Sequence, residues 1–302
     1  MNDDVIDCLA PSPILAPERI KLPPGAWDTH AHVIGSAPQH PFVLNRNYTP
    51  PPASVEDYIA MLDTVGIEYG VIVPISVHGN DNRLLLTALS RFPSRLRGVA
   101  SISGTESDEE LSQMRESGVC GVRINELFTG GSGADHLATI ASRCKQLDWH
   151  LDLALHGNRL RTLLPILREL KVRLVIDHMG FCPAEMGIAN PDFQAVLELL
   201  RLDNVWVKLS GAYRLSAIGG PQYADVAPFV DALFRTAPSR TVWAADWPHV
   251  AIKSQREMPQ AGALLDALAK HLVDEEAFRR VMVDNPLALY GRPGTAVGNL
   301  FT

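Results

Sequence analysis

Hydrophobic and polar positions along the chain define two kinds of segment after residue 25. Short, nearly continuous apolar runs are separated by longer stretches with apolar residues at helical spacing. Eight such runs occur, at residues 26–32, 69–76, 96–103, 120–127, 149–156, 173–180, 204–211 and 241–249. Because continuous apolar runs are typical of strands covered on both faces, the pattern predicts parallel strands that alternate with helices.

Eight strand–helix repeats without a domain-scale linker predict an α/β fold, a single-domain (β/α)8 TIM barrel. An open doubly wound sheet is the alternative, and it explains the even spacing less well. The predicted division is an N-terminal arm at 1–24, the barrel at 25–291 and a C-terminal tail at 292–302. The longest irregular insert, 35–53, follows the first strand and is predicted to form a lid or a substrate wall.

Several predicted helices begin near a residue that can cap them. The candidates are Ser54, Asn82, Asp135 and Asn158. Their short side chains can accept a hydrogen bond from the first turn of a helix. The sequence therefore predicts helices that start directly after these residues.

Composition and charge narrow the class of function. The net charge is −7 and no basic run stands out, so binding of nucleic acid or of a membrane surface has no electrostatic support. No apolar run approaches the roughly 20 residues that span a bilayer. The N-terminal segment "MNDDVIDCLAPSP" lacks the features of a signal peptide.

The cysteines indicate the compartment. Cys8, Cys120, Cys144 and Cys182 show no CxxC spacing, so we expect free thiols in a reducing cytoplasm. The expected partner is a small molecule. The sequence leaves a homo-oligomer open.

Polar side chains concentrate at the C-terminal ends of the predicted strands, where barrels of this type carry their chemistry. Six of the ten histidines lie there, so the clustering carries information. In strand order these ends carry His30 and His32, Ser76 and His78, Arg123 and Asn125, His156, Asp177 and His178, Ser210 with Tyr213 and Arg214, and Asp246 with His249.

The pair His30 and His32 is the first candidate for chemistry. Alternate residues of a strand share a face, so both imidazoles can converge on one point as half of a metal site. On the same rule, Asp177 should point away from the face of His178, and we assign it a structural role. Metal ligands, an acid/base pair and ordinary surface histidines all remain open for the pair taken alone.

The set formed by His30, His32, His156, His178 and Asp246 resembles the amidohydrolase superfamily. The segments "DTHAHV", "IDHMG", "WAADWPH" and "DNPLALYG" are similar to the branch with 2-pyrone-4,6-dicarboxylate lactonase, sulfomuconolactone hydrolase and sugar lactonases. The resemblance implies hydrolysis of a small anionic lactone by an activated water.

The resemblance also implies the roles of these residues. Asp246 would be the base for water, and His178 would polarise the carbonyl with help from His30 and His32. One divalent ion of zinc type would be held by His30, His32, Asp246 and His156. Catalysis without metal is the alternative within this branch.

Two departures from the branch concern the substrate. Thr129 stands where a second arginine is expected, and Ala154 replaces a tyrosine. We therefore expect a lactone with one acid group held by Arg123, because a guanidinium can donate two parallel hydrogen bonds. Further candidate contacts, each with a purely structural alternative, are Tyr48, Ser76, His78 and Arg214.

Other functions use the same residues. A decarboxylase of an aromatic or muconate-type acid, a sugar-acid lactonase and a lactone isomerase are the enzymatic alternatives. A barrel that binds a ligand without turnover is the non-catalytic alternative.

Overall fold

The computed structural model describes residues 5–252, 254, 257–272 and 274–295. Residues 1–4 of the predicted arm and 296–302 of the predicted tail lie outside the described residues. Among the described residues, eight strands form one parallel sheet and two short strands pair beside it. In chain order the strands are β1 (Ile6–Asp7), β2 (Trp27–Ala31), β3 (Tyr48–Thr49), β4 (Tyr69–Ile72), β5 (Leu96–Ala100), β6 (Val119–Asn125), β7 (His150–Ala154), β8 (Arg173–Ile176), β9 (Val205–Leu209) and β10 (Thr241–Trp243).

The central sheet closes on itself. Strands β2 and β4 to β10 pair in parallel in chain order, and the two edge strands, β2 and β10, lie in contact with each other. The Thr29 hydroxyl donates to the Trp243 carbonyl at 2.8 Å, and the backbone N–H of Asp246 donates to the His30 carbonyl at 2.9 Å. The predicted (β/α)8 barrel is therefore confirmed.

Helices surround the barrel. They are α1 (Val55–Val65), α2 (Arg83–Arg91), α3 (Asp108–Glu116), α4 (Leu137–Leu147), α5 (Gly157–Leu167), α6 (Pro191–Leu200), α7 (Ala212–Leu215), α8 (Ala227–Thr236), α9 (Ala261–His271), α10 (Glu275–Arg279) and α11 (Asn285–Tyr290). In the part of the chain that is described, none of them combines the length and apolar character needed to cross a bilayer.

One of the four predicted capping residues caps its helix. Ser54 forms a capping box with Asp57 at the start of α1. Asn82 precedes α2, but its side chain bonds to the backbone of Ser101 instead. The other two predictions were wrong because α4 starts later, after a 3₁₀ turn that contains Asp135, and α5 starts earlier and contains Asn158.

The N-terminal arm joins two distant parts of the barrel. Strand β1 pairs in parallel with β3, which lies in the insert 35–53. Farther along the arm, the backbone N–H groups of Glu18 and Arg19 donate to Asp266 of α9. The division of the chain into arm, barrel and tail, and the lid role of the insert, stay predictions.

Asp28 links β2 to the segment that follows β10, where the barrel closes. Its Oδ1 accepts hydrogen bonds from the backbone N–H of Ala245 at 2.8 Å and of His30 at 3.2 Å. Its Oδ2 accepts one from the Tyr58 hydroxyl of α1 at 3.1 Å. Burial raises the pKa of this carboxyl to about 7, although the hydrogen bonds oppose the rise.

We predict that Asp28→Ala lowers the free energy of unfolding by about 2–4 kcal/mol, because buried donors lose their acceptor. Urea unfolding followed by circular dichroism at pH 7 measures the change. The matched control is Asp231→Ala, an exposed aspartate that pairs with Arg235, and it should stay within about 0.5 kcal/mol of the parent. Equal effects of the two substitutions would contradict the closing role of Asp28.

Candidate active site

The carboxylate of Asp246 lies at the centre of the C-terminal end of the barrel. His30 Nε2 lies 3.8 Å and His32 Nε2 lies 3.5 Å from its Oδ1. His178 Nε2 lies 3.7 Å from its Oδ2. All four side chains are buried, so the residues predicted to be catalytic come together in one place.

The inward direction of His30 depends on an irregularity in β2. Trp27 packs in the barrel interior, whereas Asp28 faces Tyr58 of a surrounding helix. Strict alternation would place His30 on the side of Asp28. The pairing of β2 with β4 shifts register between Asp28 and Ala31, and such bulges re-aim side chains.

The structure corrects the direction predicted for Asp177. This carboxylate lies in the barrel interior beside His178 instead of pointing to the opposite face. Alternation fails because β8 ends at Ile176 and His178 adopts a left-handed backbone with φ of 47°. Gly211 accommodates the turn, since a Cβ there would lie 2.9 Å from the Cβ of His178.

The Oδ2 atom of Asp246 already accepts two hydrogen bonds. The Tyr213 hydroxyl donates to Oδ2 at 2.6 Å and Arg214 Nε donates to it at 3.0 Å. Burial alone would raise the pKa of Asp246, but His178 and Arg214 hold it well below its usual range. Oδ1 is therefore the oxygen that remains available for chemistry.

Sequence reasoning assigned Tyr213 no role, although Tyr213 is among the polar residues at the predicted strand ends. Arg214, predicted as a substrate contact, also donates through Nη2 to the Val250 carbonyl at 3.0 Å. An arginine that directly follows a tyrosine at a strand end was the available signal. Spacing alone could not show that both would reach one carboxylate on another strand.

The tautomer of His32 follows from its partner. Its Nδ1 lies 2.9 Å from the Val73 carbonyl oxygen, which can only accept a hydrogen bond, so Nδ1 carries a hydrogen. In the neutral ring Nε2 then presents a lone pair to Asp246 Oδ1, which is also an acceptor. A cation between the two atoms, either a proton or a metal ion, would stabilise this pair.

The same atoms fit a metal ion. One ligand atom each from His30, His32 and Asp246 lies within 4.8 Å of the others, and His30 Nε2 has no hydrogen-bond partner. Two imidazoles and a carboxylate are a donor set that zinc accepts.

His156, the fourth predicted ligand, does not join this set. It is exposed at the start of α5, with its ring 5.9 Å from that of Phe181. The prediction placed it at the tip of the fifth strand, but β7 ends at Ala154 and the chain turns outward into α5.

A chain of buried charges adjoins the His30 imidazole. Arg123 donates to Asp177 Oδ2 through Nε at 3.1 Å and Nη2 at 3.0 Å, and through Nη1 to the Pro74 carbonyl at 3.1 Å. Lys208 contacts Asp177 Oδ1 at 2.9 Å and Asp152 Oδ2 at 2.6 Å. Burial would raise the pKa of Asp177, but Lys208, His30 and Arg123 hold it well below its usual range.

Sequence reasoning missed Lys208. A lysine inside the apolar run "NVWVKLSG" and an aspartate inside "WHLDLALH" were the available signals. Isolated charges in such runs are almost never fully buried unless they are paired. The two segments therefore indicate an ion pair in the barrel interior.

Two of the remaining predicted substrate contacts meet, and one lies elsewhere. The hydroxyls of Tyr48 and Ser76 are 2.9 Å apart, and burial is the main cause that raises the pKa of Tyr48. His78 instead contacts the insert, since its Nε2 accepts from the Gly35 N–H at 3.2 Å and its ring lies 5.2 Å from Phe42.

The chain is similar in sequence to a known protein family and to known hydrolases. A family model described as amidohydrolase matches residues 27–292. A 4-sulfomuconolactone hydrolase of Hydrogenophaga intermedia is 37% identical over 290 residues, which cover 94% of this chain and 95% of that protein. A 2-pyrone-4,6-dicarboxylate hydrolase of Comamonas testosteroni is 36% identical over 90% of this chain and 92% of its own length.

A solved structure agrees with the fold. A probable 2-pyrone-4,6-dicarboxylic acid hydrolase of Acinetobacter baumannii, with citric acid bound, is 29% identical and superposes with a TM-score of 0.77. The match covers 88% of this chain and 99% of that chain.

Because His178 and His249 are buried, we predict that the folded protein is less stable at acid pH. Burial lowers the pKa of both His178 and His249 to about 4, whereas histidines of the unfolded chain protonate below about pH 6.5. The unfolded chain therefore binds more protons between these values, and stability falls as the pH drops from 6.5 towards 4. The loss should be on the order of 3 kcal/mol per ring at pH 4.

Urea unfolding at pH 7, 5.5 and 4.5 tests this expectation. His249→Gln keeps a donor for the Ala245 carbonyl but cannot titrate, so its stability should depend less on pH. The control His136→Gln, at an exposed residue, should follow the parent. Asp28, with its pKa raised to about 7, acts in the opposite direction, so the deciding outcome is the comparison of variants: an equal pH dependence of the parent and His249→Gln would refute the neutral, buried state of His249.

Proposed function

We propose, from the premise that this chain belongs to the amidohydrolase family, that it is a lactonase that opens a small anionic lactone. The observation that carries the proposal is the Asp246 carboxylate, which faces three imidazoles, one of which is connected to Arg123 through Asp177. The names of relatives at 36% and 37% identity support the same reaction.

The water is activated at Asp246. Oδ2 already accepts from Tyr213 and Arg214, so Oδ1 accepts the proton of the attacking water. The water oxygen forms a bond to the ester carbonyl carbon, and the ring C–O bond then breaks. The proton held by Asp246 passes to the leaving oxygen, so the carboxylate is restored.

His178 stabilises the charge that develops on the carbonyl oxygen. Its Nδ1 lies 2.8 Å from the Ser210 hydroxyl, which can donate there and leave a hydrogen on Nε2. Burial keeps this ring neutral, with a pKa of about 4. A neutral N–H that is fixed in place can donate to an oxyanion without reorganisation.

The acid group of the substrate binds to Arg123. A guanidinium has five N–H donors, of which Asp177 takes two and the Pro74 carbonyl takes one. The remaining two can donate to one carboxylate or sulfonate. Tyr48 and Ser76 supply hydroxyls, Arg214 a second cation, and the insert 35–53 one wall of the pocket, with His78 packed beneath that wall.

Members of the amidohydrolase family commonly bind a metal, and His30, His32 and Asp246 would hold one divalent ion here. When bound, such an ion, best suited as Zn²⁺, supplies Lewis acidity towards the carbonyl and lowers the pKa of water. The described cysteines are free thiols, which supports a reducing cytoplasmic compartment.

We predict that Asp246→Asn lowers kcat by about 10²–10⁴ while the fold stays intact, because the amide cannot accept the proton of water. The assay follows proton release from pyrones, muconolactones, sulfomuconolactones and sugar lactones, with and without zinc. Product analysis separates ring opening from release of CO₂ and from isomerisation.

The matched control for this assay is Asp231→Asn, an exposed aspartate that should leave turnover unchanged. Near-normal activity of Asp246→Asn would refute the assignment of the base. Ligand binding without turnover over the whole panel would refute the lactonase proposal.

We also predict that Arg123→Gln raises KM about 10–100-fold for lactones with an acid group, because a charge-assisted pair is lost. KM for neutral lactones should change much less. Arg159→Gln is the control, because Arg159 pairs with Glu126 on the surface. Equal changes in KM for charged and neutral lactones would contradict recognition of an acid group by Arg123.

A further inference from the structure

The ammonium group of Lys208 is enclosed in the barrel interior and has three acceptors. It lies 2.6 Å from Asp152 Oδ2, 2.9 Å from Asp177 Oδ1 and 3.1 Å from His30 Nδ1. The side chain has no solvent exposure. An ammonium group has three hydrogens and no lone pair, so Lys208 can only be the donor in its contact with His30 Nδ1.

The contact with His30 fixes where that ring carries its hydrogen. If Lys208 donates to Nδ1, then Nδ1 presents a lone pair. A neutral imidazole has one N–H, which must therefore be on Nε2. We propose that Lys208 is a positioning residue that keeps the hydrogen of His30 on Nε2, where it faces Asp246 and the reacting carbonyl.

The other tautomer would have a poorer partner. A hydrogen on His30 Nδ1 could reach Asp177 Oδ1 at 3.4 Å, but it would also oppose the nearer ammonium group at 3.1 Å. Arg123 donates to Asp177 Oδ2, and Lys208 forms an ion pair with Oδ1 at 2.9 Å, shorter than the 3.4 Å between Oδ1 and His30 Nδ1. The geometry therefore favours Lys208 as the donor to His30.

Charges in the interior keep both groups in the required state. The ammonium group of Lys208 lies 2.6 Å from Asp152 Oδ2 and 2.9 Å from Asp177 Oδ1, and both carboxylates favour its charged form. A second proton on His30 would place another positive charge 3.1 Å from that ammonium group in the barrel interior, which disfavours it. The ammonium group stays a donor and the imidazole stays an acceptor at Nδ1.

This tautomer affects both the reaction and the metal. With a hydrogen on Nε2, His30 can donate a hydrogen bond to the substrate carbonyl. A metal ion could use His30 Nε2 only after the hydrogen moves to Nδ1, against the ammonium group. Lys208 therefore lowers the affinity of the site for zinc while it supports turnover, and only the turnover part rests on the proposed function.

The tautomer can be observed directly in the parent protein. Long-range ¹H–¹⁵N spectra of histidine-labelled, metal-free protein distinguish a protonated nitrogen from a bare one. The His30 signal is assigned by its loss in His30→Gln. We expect a bare Nδ1 and a protonated Nε2, and a protonated Nδ1 would overturn the proposal whatever reaction the protein catalyses.

Variants test the cause. Lys208→Met has similar length without the charge, and Lys208→Met combined with Asp152→Asn avoids leaving both carboxylates unpaired in the interior. Either variant should move the hydrogen of His30 to Nδ1, raise the zinc affinity at least tenfold in competition with a chelating dye, and lower kcat about 10–100-fold with little change in KM. Lys270→Met, at an exposed lysine, is the control and should change none of the three.

The readouts separate this inference from the proposed function. If the Lys208 variants shift the His30 tautomer and bind zinc more tightly, but the parent protein turns over no lactone, the inference is supported and the proposed function is refuted. An unchanged tautomer in a folded Lys208 variant would overturn the inference even if the protein is a lactonase. If neither variant folds, the spectrum of the parent protein alone decides.

Discussion

Three carboxylates in the barrel interior and at its end are stabilised by cations that are buried with them. Asp152 pairs with Lys208, Asp177 with Lys208 and Arg123, and Asp246 with Arg214. Removal of one partner from such a pair leaves an uncompensated charge, which is strongly destabilising. Since each pair joins different strands or the segments that follow them, the same interactions that keep the charges in the interior also fix the positions of the reacting groups.

Unusual backbone conformations orient several site residues that regular strand geometry would point elsewhere. Asp246 and His178 adopt left-handed conformations with φ of 62° and 47°, and β2 changes register before His32. Such conformations are unfavourable for residues other than glycine and persist only where the surroundings enforce them. Here the ion pairs and the closure at Asp28 provide that enforcement, so the geometry of the site and the closure of the barrel depend on each other.

The eight strands and the position of Asp246 were predictable because continuous apolar runs and polar strand ends are local properties of sequence. The failures have one physical origin, since they concern directions set by nonlocal contacts. Asp177 was assigned to the wrong face because its direction was inferred from His178, whose left-handed backbone breaks the alternation that Val175 and Asp177 still follow. His156 was wrongly placed beside Asp246 because its strand stops early, and Lys208 was overlooked because its partners lie on other strands.

The buried charges at the C-terminal end of the barrel also restrict which ligands can bind beside Asp246. The interior carboxylates are matched by Lys208, Arg123 and Arg214, so the acid group of a substrate adds one negative charge to a balanced set. The lone pair of His32 Nε2, 3.5 Å from Asp246 Oδ1, is the place where a compensating cation is most stabilised. A divalent ion bound there would use this lone pair. Binding of an anionic substrate should therefore favour binding of a divalent ion at this position, because opposite charges attract strongly in a buried site.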